Sequence, residues 1–600
     1  MQDQYKYKKY ASSLEAESGK LKADSGRFCG MTLIEAVVAI GILVVAVVGL
    51  IDLFRVSVRY VETAAAREDA LSLAVERMEQ LRALPYGMVG TQSGIPSGTI
   101  AQNETVMQDT VSFNRRTFIE YHDDPADGLG VSDTNGISTD YKIAKVAVSW
   151  LTSSGTSTVS LISNFIPQGV ESNVSGGILS LSVINAAAQP LVNAAVQIVN
   201  SGTTPPVNVT AYSNASGLVF LPGTPPAGGY QITVSEPGYS TAQTYTAAGQ
   251  NVNPNPGNLT VVSNQTTSAA FAIDQLASFL LRTWTPIQAA TTTDLLGDMS
   301  GIASSTQATV SGGTLALATV SGHYASAGSA YENAIAPAQL SQWTSLSWNQ
   351  SVPASTSLAV HLYLPDGSGG FTLLPDSALP GNSAGFSTSP VSLSAISTST
   401  YPSLVIGGTL ATSNTSQTPQ VLDWSLSYNQ GPTPLPNIPF TLQGTKTIGT
   451  NNAGASIYKF SQSLTTNSAG QYAVPLEWDT YTASIASTTG WDTASACPLP
   501  PLSISPGSTV ADHIYLVAHT ATTLMVAVHS AATGAPLPNA SVTLSRSGFS
   551  ATQTADLCGN AFFPSLSSAT YSYTASSAGY TPKTVNNVSV SGQTASLVSL

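Results

Sequence analysis

The chain has 600 residues, of which only 9% are charged, and its 33 acids against 20 bases leave a net charge of −13. Beyond Trp150 the bases are Arg282, Lys446, Lys459, Arg546 and Lys583, too sparse a set for a broad nucleic-acid-binding surface. The length allows several domains, and Val, Leu, Ile and Tyr alternate through a Ser/Thr/Asn/Gly-rich tract of low charge density, which argues for folded extracellular β-structure over disorder.

The first element in chain order is a basic leader carrying Lys6, Lys8, Lys9, Lys20, Lys22 and Arg27. Next comes the run Met31 to Ile51, apolar except for Thr32 and Glu35. At about 1.5 Å per residue this run reaches about 31 Å as a helix, enough for the hydrocarbon core of a bilayer. The positive leader favours the cytoplasmic side and places the rest of the chain outside. A secretory signal would have its small-residue cleavage site after the apolar core, and here the candidate site precedes it. A lipoprotein signal is excluded in the same way, because Cys29 stands before the run. A plain single-span anchor stays open. A carboxylate four residues into such a helix is costly, so Glu35 reads as retained for a purpose.

This stretch resembles the N-terminus of type IV prepilins and pseudopilins, in which a basic leader ends in Gly and Glu stands at the fifth mature position. The counterparts are Gly30, Met31 and Glu35, with Met31 departing from the usual Phe. The resemblance implies cleavage between Gly30 and Met31 by prepilin peptidase and methylation of the new amino group. It also implies pairing of Glu35 with the N-terminal amine of a neighbouring subunit.

The helix is expected to continue to about Leu84, with Leu71, Ala74, Val75, Met78 and Leu81 as one apolar stripe and Pro85 and Gly87 as its stop. The phrase LAVERMEQLRALPYG also resembles the helix end of minor pilins and pseudopilins. Residues 88–170 read as a small sheet, with strand material at Val111, Phe113 and Phe118-Ile119. Ala144, Val146, Val148 and Trp150 alternate there with Lys145, Ala147 and Ser149. Within it, Asp123, Asp127, Asp133, Asn135 and Asp140 offer oxygen ligands of the kind calcium takes. The spacing is not that of an EF-hand, and the same residues are ordinary turn formers, so the segment is either a calcium site or a plain acidic loop.

The distal chain repeats itself. PLVNAAVQI begins at Pro190, PLPNIPFTL at Pro434 and PLPNASVTL at Pro536; each is followed by a turn glycine (Gly217, Gly470, Gly559). A tyrosine follows (Tyr230, Tyr481, Tyr571), then Gly plus an aromatic (Gly238-Tyr239, Gly490-Trp491, Gly579-Tyr580). These modules, at 171–274, 431–519 and 520–600, resemble carboxypeptidase-regulatory-like and collagen-binding-protein B-type domains, which are Ig-like β-sandwiches. Some relatives carry a Lys–Asn isopeptide bond; the first module has no Lys, and the third has none in its first strand. Cys497 and Cys558 form an even pair once Cys29 leaves with the leader, so either a disulfide or two buried thiols is expected.

Residues 275–430 lack the repeat landmarks and resemble galactose-binding-like jelly rolls. Their tryptophans Trp284, Trp343, Trp348 and Trp424 read as core positions or as sugar-stacking platforms. The histidines are scattered, and there is no phosphate loop, HExxH or nucleophile elbow.

The expected architecture is therefore an α+β pilin-like N-terminal part, a long helix with a small antiparallel sheet, followed by mainly-β tandem Ig-like sandwiches and a larger jelly-roll-like sandwich. Its expected segments are a leader (1–30), a transmembrane and amphipathic helix (31–87), a β head (88–170) and the modules 171–274, 275–430, 431–519 and 520–600. The expected role is non-enzymatic: a minor pilin of a type IV pilus-like filament, held in the inner membrane before assembly, with a β-rich stalk for adhesion. Its partners would be other pilin subunits, prepilin peptidase, the membrane and a surface glycan or protein, with no cofactor besides calcium. A pseudopilin of a type II secretion system and a single-span adhesin that never polymerises are the alternatives.

Overall fold

The computed structural model describes residues 33–126, 137–153, 155–168 and 176–600. Gly30 and Met31 lie outside the described residues, as do Asp127, Asp133 and Asn135, and Glu35 is placed by its backbone only. Two compact units result, one holding the N-terminal helix and the first four strands, the other holding the chain from residue 176 onward.

In the first unit, helix α1 (Leu33–Arg82) precedes an antiparallel meander of β1 (Asn103–Gln108), β2 (Val111–His122), β3 (Tyr141–Thr152) and β4 (Gly155–Phe165) in that spatial order. The helix ends a turn before Pro85, which cannot donate to the ladder. Its C-terminal half lies on the sheet: Ala66, Ala70, Leu73, Ala74, Met78 and Leu81 share a core with Phe113, Ile119, Ala144, Val146, Val148 and Trp150. The stripe therefore differs from the expected one, because Leu71 and Val75 are 44% and 43% exposed. The true face advances through 66, 70, 73, 74, 77, 78 and 81, so it admits small alanines and Arg77 that an apolar count passes over.

The three repeats share one plan. In the first, the strand Gly177–Ile184 runs parallel to Thr266–Ala272 and antiparallel to Leu218–Thr224. In the third, Thr523–His529 runs parallel to Gln593–Ser599 and antiparallel to Asn560–Phe563. The second follows the same rule with a first strand from far upstream. Ala277–Thr285 runs parallel to Thr509–Ala518 and antiparallel to Gln471–Leu476. The expected boundary at 275–430 is thus redrawn, since the second module consists of 277–285 together with 433–518, and residues 286–432 are inserted after its first strand.

Matching hydrogen bonds establish this equivalence. The N–H groups of Val183, Thr283 and Val528 donate to the carbonyls of Gly217, Gly470 and Gly559 at 2.7, 2.8 and 2.8 Å. Those carbonyl-bearing glycines have φ of 72°, 68° and 77°, and a Cβ on any of them would meet the carbonyl oxygen of Val183, Thr283 or Val528 within 2.8 Å. That close approach explains why each repeat has glycine there. The repeat asparagines Asn193, Asn437 and Asn539 also sit at positive φ, a conformation that Asn tolerates better than most residues. The repeat tyrosines donate from their hydroxyls to the carbonyls of Pro225, Glu477 and Ser567, each four or five residues upstream.

The insert is a pair of sheets around one core. One sheet contains Leu340–Ser351 and Gln420–Gln430, and the other contains Ala327–Glu332, Thr356–Pro365 and Val405–Thr412. Trp343, Trp348 and Trp424 from the first pack with Val360, Leu362, Ile406 and Leu410 from the second. Thr285 pairs with Thr433, and three residues on, Gln288 pairs with Gln430. The ends of the insert are therefore neighbours, the geometry that lets a domain interrupt a turn without opening its host.

Candidate functional site

The apolar half of α1 is fully available. Leu33, Ile34, Val45, Leu50 and Phe54 are all exposed, and the helix is long and apolar enough to cross a membrane. After Glu35, its next charged residue is Asp52, which pairs with Arg55 at 3.7 Å. Water is a poor solvent for such a surface, which suits hydrocarbon or other apolar surfaces.

Where the helix meets its sheet, a charge cluster joins them. Arg77 Nη2 donates to Glu104 Oε1 at 2.5 Å, and Arg115 Nε donates to the same oxygen at 2.6 Å. Arg115 also reaches Glu76 Oε2 at 3.2 Å and the carbonyl of Leu73 at 3.1 Å. Both guanidinium groups are buried. Burial alone would raise the Glu104 pKa, but hydrogen bonds and charge from Arg77 and Arg115 outweigh it and hold the carboxyl below its ordinary value. The linked stability is complete above the ordinary value of 4.5 and is lost as the pH falls through the lowered one. Glu104→Gln should destabilise this unit by about 3 kcal/mol, because it leaves buried cations short of a partner. Urea unfolding at pH 7 checks it, and an unchanged midpoint would remove the cluster from the account.

Lys142 sits on the buried face of β3, in register with Ala144 and Val146, and is 1% exposed. Its ammonium donates to the carbonyls of Tyr86 and Val89 at 2.8 and 2.7 Å and lies over the Tyr86 ring. It ties the turn after the helix to the sheet. Burial pushes its pKa down to about 8. The alternation of β3 places Lys142 among apolar residues, so a polarity count reads it as an exception rather than as a tether.

Of the calcium candidates, Asp123 and Asp140 are both buried, and Asp140 Oδ2 accepts from the backbone N–H of Asp124 at 2.6 Å. Among the described residues there is no group of three or more His, Cys, Asp or Glu arranged for a metal. The tryptophans divide differently from the expectation. Trp343, Trp348 and Trp424 are core residues of the insert, whereas Trp284 belongs to the second module and stacks on His513 at 6.4 Å. No indole of the insert's three core tryptophans is left to face a sugar.

Cys497 and Cys558 are joined as a disulfide, with their Cα atoms 5.4 Å apart. The bond lies in a junction between the second and third modules. Asn560 Nδ2 donates to Ser495 Oγ and to the Ala496 carbonyl, both at 3.0 Å. Fully buried Asp492 accepts from Thr520 N at 2.8 Å, lies 2.7 Å from His519 Nδ1 and also meets Gln593 Nε2. Closing a loop of 61 residues restricts the unfolded chain by about 4 kcal/mol in the chain-entropy model. Peptide mapping of the unreduced, unfolded and alkylated protein should therefore find neither Cys497 nor Cys558 labelled, and label on both would contradict the bridge.

The family described as carboxypeptidase regulatory-like domain matches residues 178–273 and 523–599. These are the first and third repeats; in the second, the insert separates the first strand from the rest. No curated protein sequence matches the chain. Among solved structures, the TIE protein of Bacillus anthracis is 12% identical, over 76% of this chain and 59% of its own, with a TM-score of 0.15. The major pilin subunit of Bacillus cereus is 7% identical over 71% of this chain and 99% of its own, with a TM-score of 0.13. The minor pilin of Streptococcus agalactiae is 11% identical over 29% of this chain and 89% of its own, with a TM-score of 0.13. Scores this low do not establish a shared arrangement of the whole chain. What is established is one long apolar helix joined to a β-rich body that contains segments matching the carboxypeptidase regulatory-like domain.

Proposed function

We propose that this chain is a non-enzymatic structural subunit, a minor pilin of a type IV pilus-like filament that displays its β-rich region at the cell surface for adhesion. The observation that carries the reading is the division of α1: one half exposes an apolar surface long enough to span a bilayer, and the other is buried on its own four-stranded sheet. A helix so divided can leave the membrane with its sheet attached and pack against copies of itself. Gly30, Met31 and Glu35 supply the cleavage and assembly residues in this reading. The three repeats are Ig-like sandwiches and the insert a jelly roll, serving as spacer and contact surface beyond the helix.

Mass spectrometry of the mature N-terminus tests the proposal. A methylated Met31 supports it, and an intact leader overturns it. Immunolabelling then separates a filament subunit from a short periplasmic secretion assembly and from diffuse membrane label.

A further inference from the structure

Two carboxylates of the insert lie near Gly301 at one edge of its core. Glu332 ends the strand Ala327–Glu332, stands opposite Ile302 and is 5% exposed, yet its Oε2 has no hydrogen-bond partner. Asp294 ends the strand Gln288–Asp294. Its Oδ1 accepts from the backbone N–H of Leu296 at 2.8 Å, while its buried Oδ2 has no partner. Gly301 lies between the two acids. A Cβ there would collide with Asp294 Oδ2, and the Gly301 carbonyl accepts from the N–H of Asn333, the residue after Glu332. Glu332 faces a cavity of about 280 Å³ that Thr292, Gly301, Asn333 and Tyr428 also line.

Unpartnered carboxylate oxygens in so buried a place are costly unless neutralised. Burial first, and the Asp294 charge second, push the Glu332 pKa up to about 8. The side-chain donors lining the cavity are oxygens, the Glu332 carboxylate, the Asn333 amide and the hydroxyls of Thr292 and Tyr428, and the Asp294 carboxylate lies against Gly301 of the same lining. Sulfur and imidazole, which select zinc or copper, are not among them. Calcium accepts six to eight such oxygens in flexible geometry and completes its shell with water, whereas magnesium demands a near-ideal octahedron.

We propose that Asp294 and Glu332 bind a calcium ion at this edge, bridging the end of Gln288–Asp294, where the insert begins, to Ala327–Glu332 of the facing sheet. The ion neutralises both carboxylates and pins the entry of the inserted domain.

The test is calorimetry and thermal unfolding of the detergent-purified full chain titrated with calcium chloride. The wild type, the pair Asp294→Asn/Glu332→Gln and the pair Asp123→Asn/Asp140→Asn are compared. Binding at roughly 0.1–1 mM, the range of extracellular calcium modules, is expected, together with a rise in melting temperature. Both responses should vanish in the Asp294/Glu332 pair and persist in the Asp123/Asp140 pair. Circular dichroism verifies that the first pair keeps its β-structure, and Asp294→Asn alone, which retains the acceptor for Leu296, repeats the test should the pair misfold. No heat and no thermal shift in the wild type would overturn the proposal and leave Glu332 a neutral buried acid. A response that survives loss of Asp294 and Glu332 would overturn it too, and its disappearance in the Asp123/Asp140 pair would assign it to the acidic loop.

Discussion

A chain carrying Gly30→Asp should keep its leader and fail to enter filaments, and one carrying Glu35→Ala should be processed normally yet incorporate roughly a hundredfold less. The two variants separate two steps. Gly30 precedes the proposed scissile bond, and a charged side chain there blocks a peptidase site built for a residue without one. Glu35 acts later. On insertion scales an ionised carboxylate in a membrane helix costs up to about 3 kcal/mol, the full cost being reached at the helix centre, so the residue is a liability to a lone span. In an assembly, the carboxylate and the N-terminal amine of a neighbour neutralise each other at close range, where a low dielectric strengthens their attraction. Removing one partner returns the unpaired charge, and about 3 kcal/mol corresponds to roughly a hundredfold in an equilibrium. N-terminal mass spectrometry reads the first step and immunolabelling of sheared filaments reads the second. Normal incorporation of both variants would refute the pilin reading, and a Glu35→Ala chain that accumulates uncleaved would assign Glu35 to processing instead.

Asp512→Leu should stabilise the second module at pH 8 by roughly 4 kcal/mol and flatten its pH dependence, given about 1.4 kcal/mol for each pKa unit. Asp512 stands opposite Leu281 on the strand face that carries Ile514 and Leu516 into the core, and it is fully buried. No hydrogen bond of ordinary geometry reaches either carboxylate oxygen. Burial drives its pKa up to about 7, slightly offset by the backbone N–H of His513. The sign follows from proton binding. Between the ordinary value of 3.8 and about 7 the folded state holds more protons than the unfolded one, so stability falls as the pH rises through that window and stays low above it. Urea unfolding at pH 5 and pH 8 checks both parts. Asp512→Asn keeps a buried amide and gains less, but it must lose the same pH slope. A wild type equally stable at both values would end the argument.

Much of the second module was legible locally, and its first strand was not. Pro-Leu-x-Asn, the turn glycine, the corner tyrosine and the Gly-aromatic pair each reflect a constraint within a few residues: a positive φ, a close carbonyl, a hydroxyl four or five residues from its acceptor. Such constraints survive any insertion elsewhere. The strand Ala277–Thr285 carries the same alternation as its counterparts, but its parallel partner Thr509–Ala518 lies more than two hundred residues downstream. Alternation says that a strand has a buried face without saying which sheet buries it. The helix stripe went astray for a related reason: a partial rotation of the helix exchanges Leu71 and Val75 for Ala70, Leu73 and Arg77, and only the sheet beneath decides between them.

By itself the sequence determined the long apolar helix and the repeated turns, because periodicity and glycine conformation are properties of short segments. Tertiary structure alone decided that the larger domain interrupts the second repeat. It likewise decided that Lys142, Asp512, Asp294 and Glu332 are buried, and that the disulfide lies in a junction held by Asp492 and Asn560. Those outcomes depend on which distant strands pair, and pairing settles which polar groups lose water.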